Sequence, residues 1–176
     1  MPQPNEFESG FVAYLEGLAD REDRGALAEL RRGVGKTPGT EVRTFRYVAP
    51  WADGQWPLVE RNLYLVASLF ALHPASATEG NLGDTFRRIA AGSDSESIEK
   101  RFVALLNCDA DDLPNHLRHA VSLAKSKEAP VNWRQLLADL RAFDHPDRYV
   151  QRQWAGAFWH REQTDNDAAE AAATTS

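Results

Sequence analysis

The sequence predicts an all-α protein of two small helical lobes, the C-terminal one a four-helix bundle. Apolar residues recur at three- and four-residue spacing through almost all of the 176 residues, the periodicity of amphipathic helices. Only Val42 to Val48 alternates in steps of two, and that run is isolated. Helix-capping residues and Gly or Pro breaks separate the periodic stretches at short intervals.

The N-terminal lobe, residues 5–92, opens with a helix from Glu6 to Ala19 built on Phe7, Phe11, Tyr14, Leu15 and Leu18. Asp23 is placed to cap a second helix that runs to about Val34, where Gly33 and Gly35 help end it. Residues 36–55 contain Pro38, Gly39, Pro50 and Gly54 and read as a long ordered loop, anchored to the core by Trp51 and Trp56. Pro57 suits the first turn of a strongly apolar helix through Val59, Leu63, Val66, Leu69 and Phe70, ending near Pro74. Leu82, Phe86 and Ile89 then mark a short helix, and Gly92 with Ser93 sets the lobe boundary.

The C-terminal bundle, residues 93–160, begins with the capping-box pattern Ser93 to Glu96 ahead of Ile98, Phe102, Leu105 and Leu106. Asp111 or Asp112 can cap the next helix, which runs to about Lys125. Asn132 can cap one from Trp133 to Phe143, and Pro146 starts the last, through Val150, Trp154 and Phe158. Short loops between four helices suit a bundle. Residues 161–176 are acidic and alanine-rich without periodic large apolar residues, the composition of a disordered tail.

The single cysteine, Cys108, rules out an internal disulfide or a cysteine-based zinc site. No apolar run approaches the roughly 20 residues of a bilayer span, and MPQPNEFESG lacks the regions of a signal peptide, so the expected location is cytoplasmic, with no membrane partner. The net charge is −6 but it is segregated: residues 5–23 hold one basic and six acidic residues, residues 24–46 six basic and two acidic. Of 20 basic residues 16 are Arg, whose planar fork suits phosphate and carboxylate.

His116 and His119 stand three apart behind Asp109, Asp111 and Asp112, superficially a metal cluster. The aspartates sit where N-caps and helix-dipole acids belong, and further ligands are not visible. There is no phosphate loop, nucleophile elbow or HExxH pattern. No catalytic residue, metal or cofactor is therefore assigned.

The arginines form rows when projected at 100° per residue. Arg24 and Arg31 lie on one side of the second helix while Arg32 points nearly opposite to its buried centre. Arg118 and Lys125 share a direction on the second helix of the bundle, Arg134 and Arg141 repeat the spacing of seven on the following helix, and Arg148 and Arg152 are four apart on the last. Arg87, Arg88, Lys100 and Arg101 cluster at the lobe boundary, and Lys36 follows Gly35. Such rows can be solvated faces neutralised by Asp112, Glu128, Asp139 or Asp144, or they can converge on phosphate. The aromatics sit at core spacings and do not interleave with the rows, so contact with nucleic-acid backbone is expected, without base readout.

The string RGALAELRR (Arg24 to Arg32) strongly resembles a motif of the CasB small subunits of type I-E CRISPR Cascade complexes. LFALHP (Leu69 to Pro74), SIEKRFVALL (Ser97 to Leu106), LPNHLR (Leu113 to Arg118), VNWRQLLADL (Val131 to Leu140) and VQRQWAGAFW (Val150 to Trp159) agree in order and spacing. The resemblance covers roughly residues 7–160 and carries nothing onto the tail. It implies a non-enzymatic subunit of antiviral defence, present as two stacked copies beside the crRNA backbone and the large subunit. Its basic surface would steady R-loop DNA, chiefly the displaced strand, while guide pairing supplies specificity. On that reading Arg24, Arg31, Arg101, Arg118 and Lys125 matter most, with Lys36, Arg87, Arg88, Arg134 and Arg141 completing the candidate set. The alternatives are a structural spacer that binds protein partners, and a metal-dependent enzyme at His116 and His119.

Overall fold

The computed structural model describes residues 2–92 and 94–160. The expected cap at Ser93 and the expected disorder of residues 161–176 fall outside them. The described residues form nine α-helices: α1 Glu6–Asp20, α2 Arg24–Arg31, α3 Phe45–Ala52, α4 Pro57–Leu72, α5 Leu82–Ala91, α6 Ser95–Asn107, α7 Leu113–Ser126, α8 Trp133–Leu140 and α9 Tyr149–Phe158. A 3-10 turn, Val42–Thr44, leads into α3. Among these residues there is no strand, only one isolated parallel bridge between Ser76 and Val131. No helix among the described residues is long and apolar enough to cross a membrane.

The caps explain most of the helix starts. Asn5 Oδ1 accepts from Glu8 N at 2.8 Å while Glu8 Oε2 accepts from Asn5 N at 3.0 Å, a reciprocal box that opens α1. Asp23 accepts from Ala26 N (2.9 Å) and Asn132 from Gln135 N (3.1 Å), as their positions ahead of apolar runs require. Asp94 is the N-cap of α6, accepting from Ser97 N. Asp112 occupies the N-cap position of α7 without a side-chain bond; Asp109 Oδ1 instead accepts from the amides of Asp111 and Asp112.

Three expectations need correction. The stretch 36–55 is not all loop, because α3 forms inside it. Pro50 sits in its last turn and removes the N–H that would reach Arg46 O, a loss offset by the burial of Val48 and Ala52 against α4. Trp51 does anchor this segment, its indole meeting Phe7, Phe11 and Tyr14 at 5.5–5.9 Å. Trp56 does not, being 79% exposed. Pro146 does not start α9 either. The chain turns through Arg148 at φ 50°, and the helix begins at Tyr149.

α4 is the centre, with every residue from Asn62 to Ala71 buried and α2, α3, α7 and α8 packed around it. The buried apolar side chains form one cluster drawn from all nine helices. α1 packs on α8, and α5 packs on α9 as well as α6, so contacts cross the 92/93 boundary in both directions. The segment after α4 is stitched to the α7–α8 connection. His73 Nε2 lies 2.8 Å from Ala129 O, Ala77 N donates to Val131 O, Val131 N to Ala75 O, and Trp133 Nε1 to Ala75 O.

Two close contacts within this core make testable demands. α5 meets α9 at Gly83, where an added Cβ would lie 2.0 Å from Trp154 O. Backbone cannot yield as a side-chain tip can, so Gly83→Ala is expected to destabilise the fold by about 3 kcal/mol in denaturant unfolding. Asp139, 1% exposed, accepts from Trp154 Nε1 (2.6 Å) and Gln135 Nε2 (2.8 Å). Burial outweighs these bonds and pushes its carboxyl up to about 6. The folded protein thus takes up this proton at higher pH than the unfolded chain does. The group's burden on stability is present above pH 6 and is relieved as pH falls through about 6, a swing of about 3 kcal/mol. Asp139→Asn keeps an acceptor for Trp154. Its stability relative to the parent is expected to stay level from pH 8 to about 7 and to fall from there to pH 4 in thermal melts, whereas Asp139→Ala is destabilised throughout.

Candidate nucleic-acid interface

The ten basic residues singled out in the sequence divide into two groups according to the carboxylates around them. Arg134 grips Glu16 with both guanidinium nitrogens, the Nη1–Oε1 bond measuring 3.2 Å. Arg141 Nη1 donates to the buried Glu8 at 2.8 Å. The row of seven on α8 therefore faces a row of eight on α1, and both arginines clamp helices together. Arg87 is held by Asp84 at 3.1 Å within α5. Lys36 pairs with Glu41, which also caps the 3-10 turn. Among the described residues Arg24, Arg31, Arg88, Arg101, Arg118 and Lys125 form no ion pair.

Of these, Arg118 shares a cleft with Arg61 and with Lys36, the partner of Glu41. The turn after α2, the middle of α4 and the start of α7 enclose a cleft of about 230 Å³ lined by Lys36, Arg61 and Arg118 together with Gly33–Pro38, Tyr64 and Asn115. Gly35 takes φ 78°, and its backbone lies against the Arg118 side chain, with an added Cβ 3.6 Å from Cδ. Arg118 Nη2 donates to Asn115 Oδ1 at 3.2 Å, while its Nε is buried and has no hydrogen-bond partner among the described residues. Asp111 and Asp112 also line the cleft, so three cations face two carboxylates there.

Arg61 belongs to no helical row because it is the one basic residue of α4, and its place beside Glu60 at the start of a strongly apolar helix is its only signal in the sequence. Its Nη2 donates to Ala110 O at 3.1 Å, next to the start of α7. Because His73 beyond α4 meets Ala129 beyond α7, the two helices run in the same direction. Arg31, whose Nε donates to Ala71 O at 3.0 Å, and Lys125 in the last turn of α7 thus belong to the same end of the α4–α7 pair.

On the other flank of α7 a groove of about 340 Å³ runs against α6 and α5. Its lining is mostly apolar, from Phe86, Ala104, Leu105, Ala120 and Leu123, with Arg101, His116 and His119 as its polar members. His119 Nε2 accepts from Arg118 Nη2 at 3.0 Å, which joins this groove to the basic cleft. That bond occupies a ring lone pair a metal would need, and no group of three or more His, Cys, Asp or Glu among the described residues could hold a metal ion. Arg24 and Arg88 are exposed on α2 and α5, outside both depressions. Cys108, the one thiol, is pushed up to about 11 by burial and by Asp109 and Asp112, so it is protonated at neutral pH and a poor nucleophile.

Comparison with known proteins adds the ancestry. Residues 26–159 match the family described as CRISPR-associated protein Cse2. A CRISPR-associated protein Cse2 of Thermus thermophilus is 38% identical over 154 residues, covering 85% of this chain and 88% of its own. The crystal structure of CasB from Thermus thermophilus superposes with a TM-score of 0.77 at 33% identity, covering 88% of this chain and 98% of its own. A chain of a CRISPR RNA-guided surveillance complex matches with a TM-score of 0.75 at 28% identity, covering 95% of this chain and 98% of its own. An all-helical chain with this identity over most of its length belongs to the Cse2 (CasB) family of CRISPR-associated proteins.

Proposed function

We propose that this chain is a non-catalytic small subunit of a type I-E CRISPR RNA-guided surveillance complex, and that it holds nucleic-acid backbone, chiefly the displaced strand of R-loop DNA. The observation that carries this is the convergence of Lys36, Arg61 and Arg118, from three separate elements, on one cleft where Arg118 Nε is buried and unpartnered. A phosphate oxygen supplies the acceptor that this nitrogen lacks. Arg31 and Lys125 extend the path along the same helix pair, and Arg101 extends it across α7. Phosphate contacts of this kind hold a strand without reading it, which suits a complex whose sequence recognition comes from guide pairing.

The overall negative charge is compatible with this role. Glu8 and Glu16 are spent on Arg141 and Arg134, and the acidic balance of residues 5–23 lies on α1, which is not part of the cleft. The surveillance complex also requires protein contacts, to a second copy and to the backbone and large subunits. Val42 at 71% and Trp56 at 79% exposure, with Leu58 two residues after Trp56, are large apolar side chains suited to such contacts. That exposure equally favours a pure spacer as the second reading.

The two readings differ in solution. The isolated full-length chain is expected to bind single-stranded DNA weakly, with affinity falling steeply as salt rises. Changing Lys36 and Arg118 together to Gln should weaken binding and reduce the slope of log affinity against log salt by about 1 to 2. Lys100→Gln, at an exposed pair with Glu96, should leave both nearly unchanged. An unaltered slope in the double variant, with complexes that fail to assemble, would establish the spacer instead.

A further inference from the structure

Resting on the nucleic-acid reading above, we infer that the groove between α6 and α7 receives an unpaired nucleobase, which makes the chain's preferred partner a single strand and not a duplex. The groove exists because alanines stand where α6 and α7 face each other: Ala104 and Ala120 leave open the space that longer side chains would fill. Phe86 and Leu105, both about 1% exposed, close the groove from below, so the apolar surface an occupant would meet comes from the exposed Ala104 and the half-buried Leu123. Its volume, about 340 Å³, falls within the roughly 300–1,000 Å³ of small-ligand sites.

The polar side chains around this floor select among apolar occupants. Arg101, His116 and His119 are its only ionisable members, and no carboxylate lines it. An aliphatic side chain from a protein partner would cover the floor but leave the guanidinium and imidazoles without a counterpart. A nucleotide satisfies both parts, since its base is a flat apolar plate with polar edges and its phosphate is an anion. A guanidinium or imidazole plane is also a stacking surface for a base. The Arg118–His119 bond fixes the connection: Arg118 belongs to the basic cleft, His119 to the groove, and their contact at 3.0 Å puts the backbone path at the groove's edge. A strand followed by Arg118 and Lys125 along α7 therefore passes the opening with its bases free to enter. Paired bases are stacked inside a duplex and cannot. The chain has no row of exposed aromatics to stack successive bases, so the groove supplies by enclosure what a stacking platform supplies elsewhere. With two imidazoles and one guanidinium as its polar groups it holds a base without reading a sequence.

The test compares two probes on the full-length chain: a short single-stranded oligonucleotide, and the same length with abasic residues at every position. The parent protein is expected to prefer the intact strand by about fivefold or more. Ala104→Leu, at an exposed position of α6, fills the groove and should bring the intact strand down to the affinity of the abasic one, which itself should not change. Circular dichroism checks that the variant folds, and His119→Ala, which opens the groove without filling it, provides a second variant that should retain more than half of the preference in free-energy terms. Equal binding of both probes to the parent overturns the inference, as does a preference that survives Ala104→Leu in the folded protein. Loss of complex assembly by Ala104→Leu with the base preference intact would assign the groove to a protein partner and overturn it as well. Failure of the parent to bind either probe would instead overturn the nucleic-acid reading on which the inference rests.

Discussion

Helix α4 has no polar face. From Asn62 to Ala71 every residue is buried, so the helix is stable only when it is enclosed on all sides, and α2, α3, α7 and α8 are arranged to enclose it. Its few polar groups are settled locally: Ser68 Oγ donates back to Tyr64 O, and the carbonyl of Ala71 near its end accepts from Arg31 Nε. The basic cleft follows from this enclosure. It is the place where the chain leaving α2 and the first turns of α7 meet α4 around the half-buried Arg61 and the buried Tyr64, and it takes its cations from all three. The site is thus a by-product of how a wholly apolar helix is covered, which makes its geometry as rigid as the core beneath it.

Charge in this molecule is divided by depth more than by sign. On α1 the buried Glu8 and the half-buried Glu16 hold Arg141 and Arg134 at the α8 side, while Glu6 and Asp20 stay exposed. Arg118 lies partly buried beside Gly35, with one nitrogen committed to Asn115 and His119 and another left without an acceptor. An acidic protein can hold an anionic partner in this way, because Glu8 and Glu16 are occupied within the fold and the two carboxylates at the cleft, Asp111 and Asp112, are outnumbered there by Lys36, Arg61 and Arg118.

Most of the helices were legible in the sequence, since caps such as Asn132 and breaks such as Gly92 act over a few residues. α3 was hidden because Pro50 and Gly54 mimic loop chemistry, and only the burial of Val48 and Ala52 against α4 decides for a helix. The indole rings show the same limit: Trp51 and Trp56 look alike in sequence, but one is sandwiched against α1 and the other faces outward. The rows were legible as rows and not as sites. Arg118 with Lys125 and Arg134 with Arg141 have identical spacing, yet the second pair meets glutamates more than a hundred residues away in sequence. Arg61 had to wait for the structure, because a site assembled from three elements leaves no pattern within any one of them.

The cross-packing of α1 on α8 and of α5 on α9 has a consequence for synthesis on the ribosome. The apolar sides of α1, α4 and α5 are all made before α8 and α9, which complete their cover, and about 60 residues separate α5 from α9. At roughly 5–20 residues per second the early helices wait on the order of 3 to 12 seconds with apolar surface uncovered. Until then the helices made first carry apolar surface open to other partners, and their cover is complete only when Trp154 has emerged to close over Gly83.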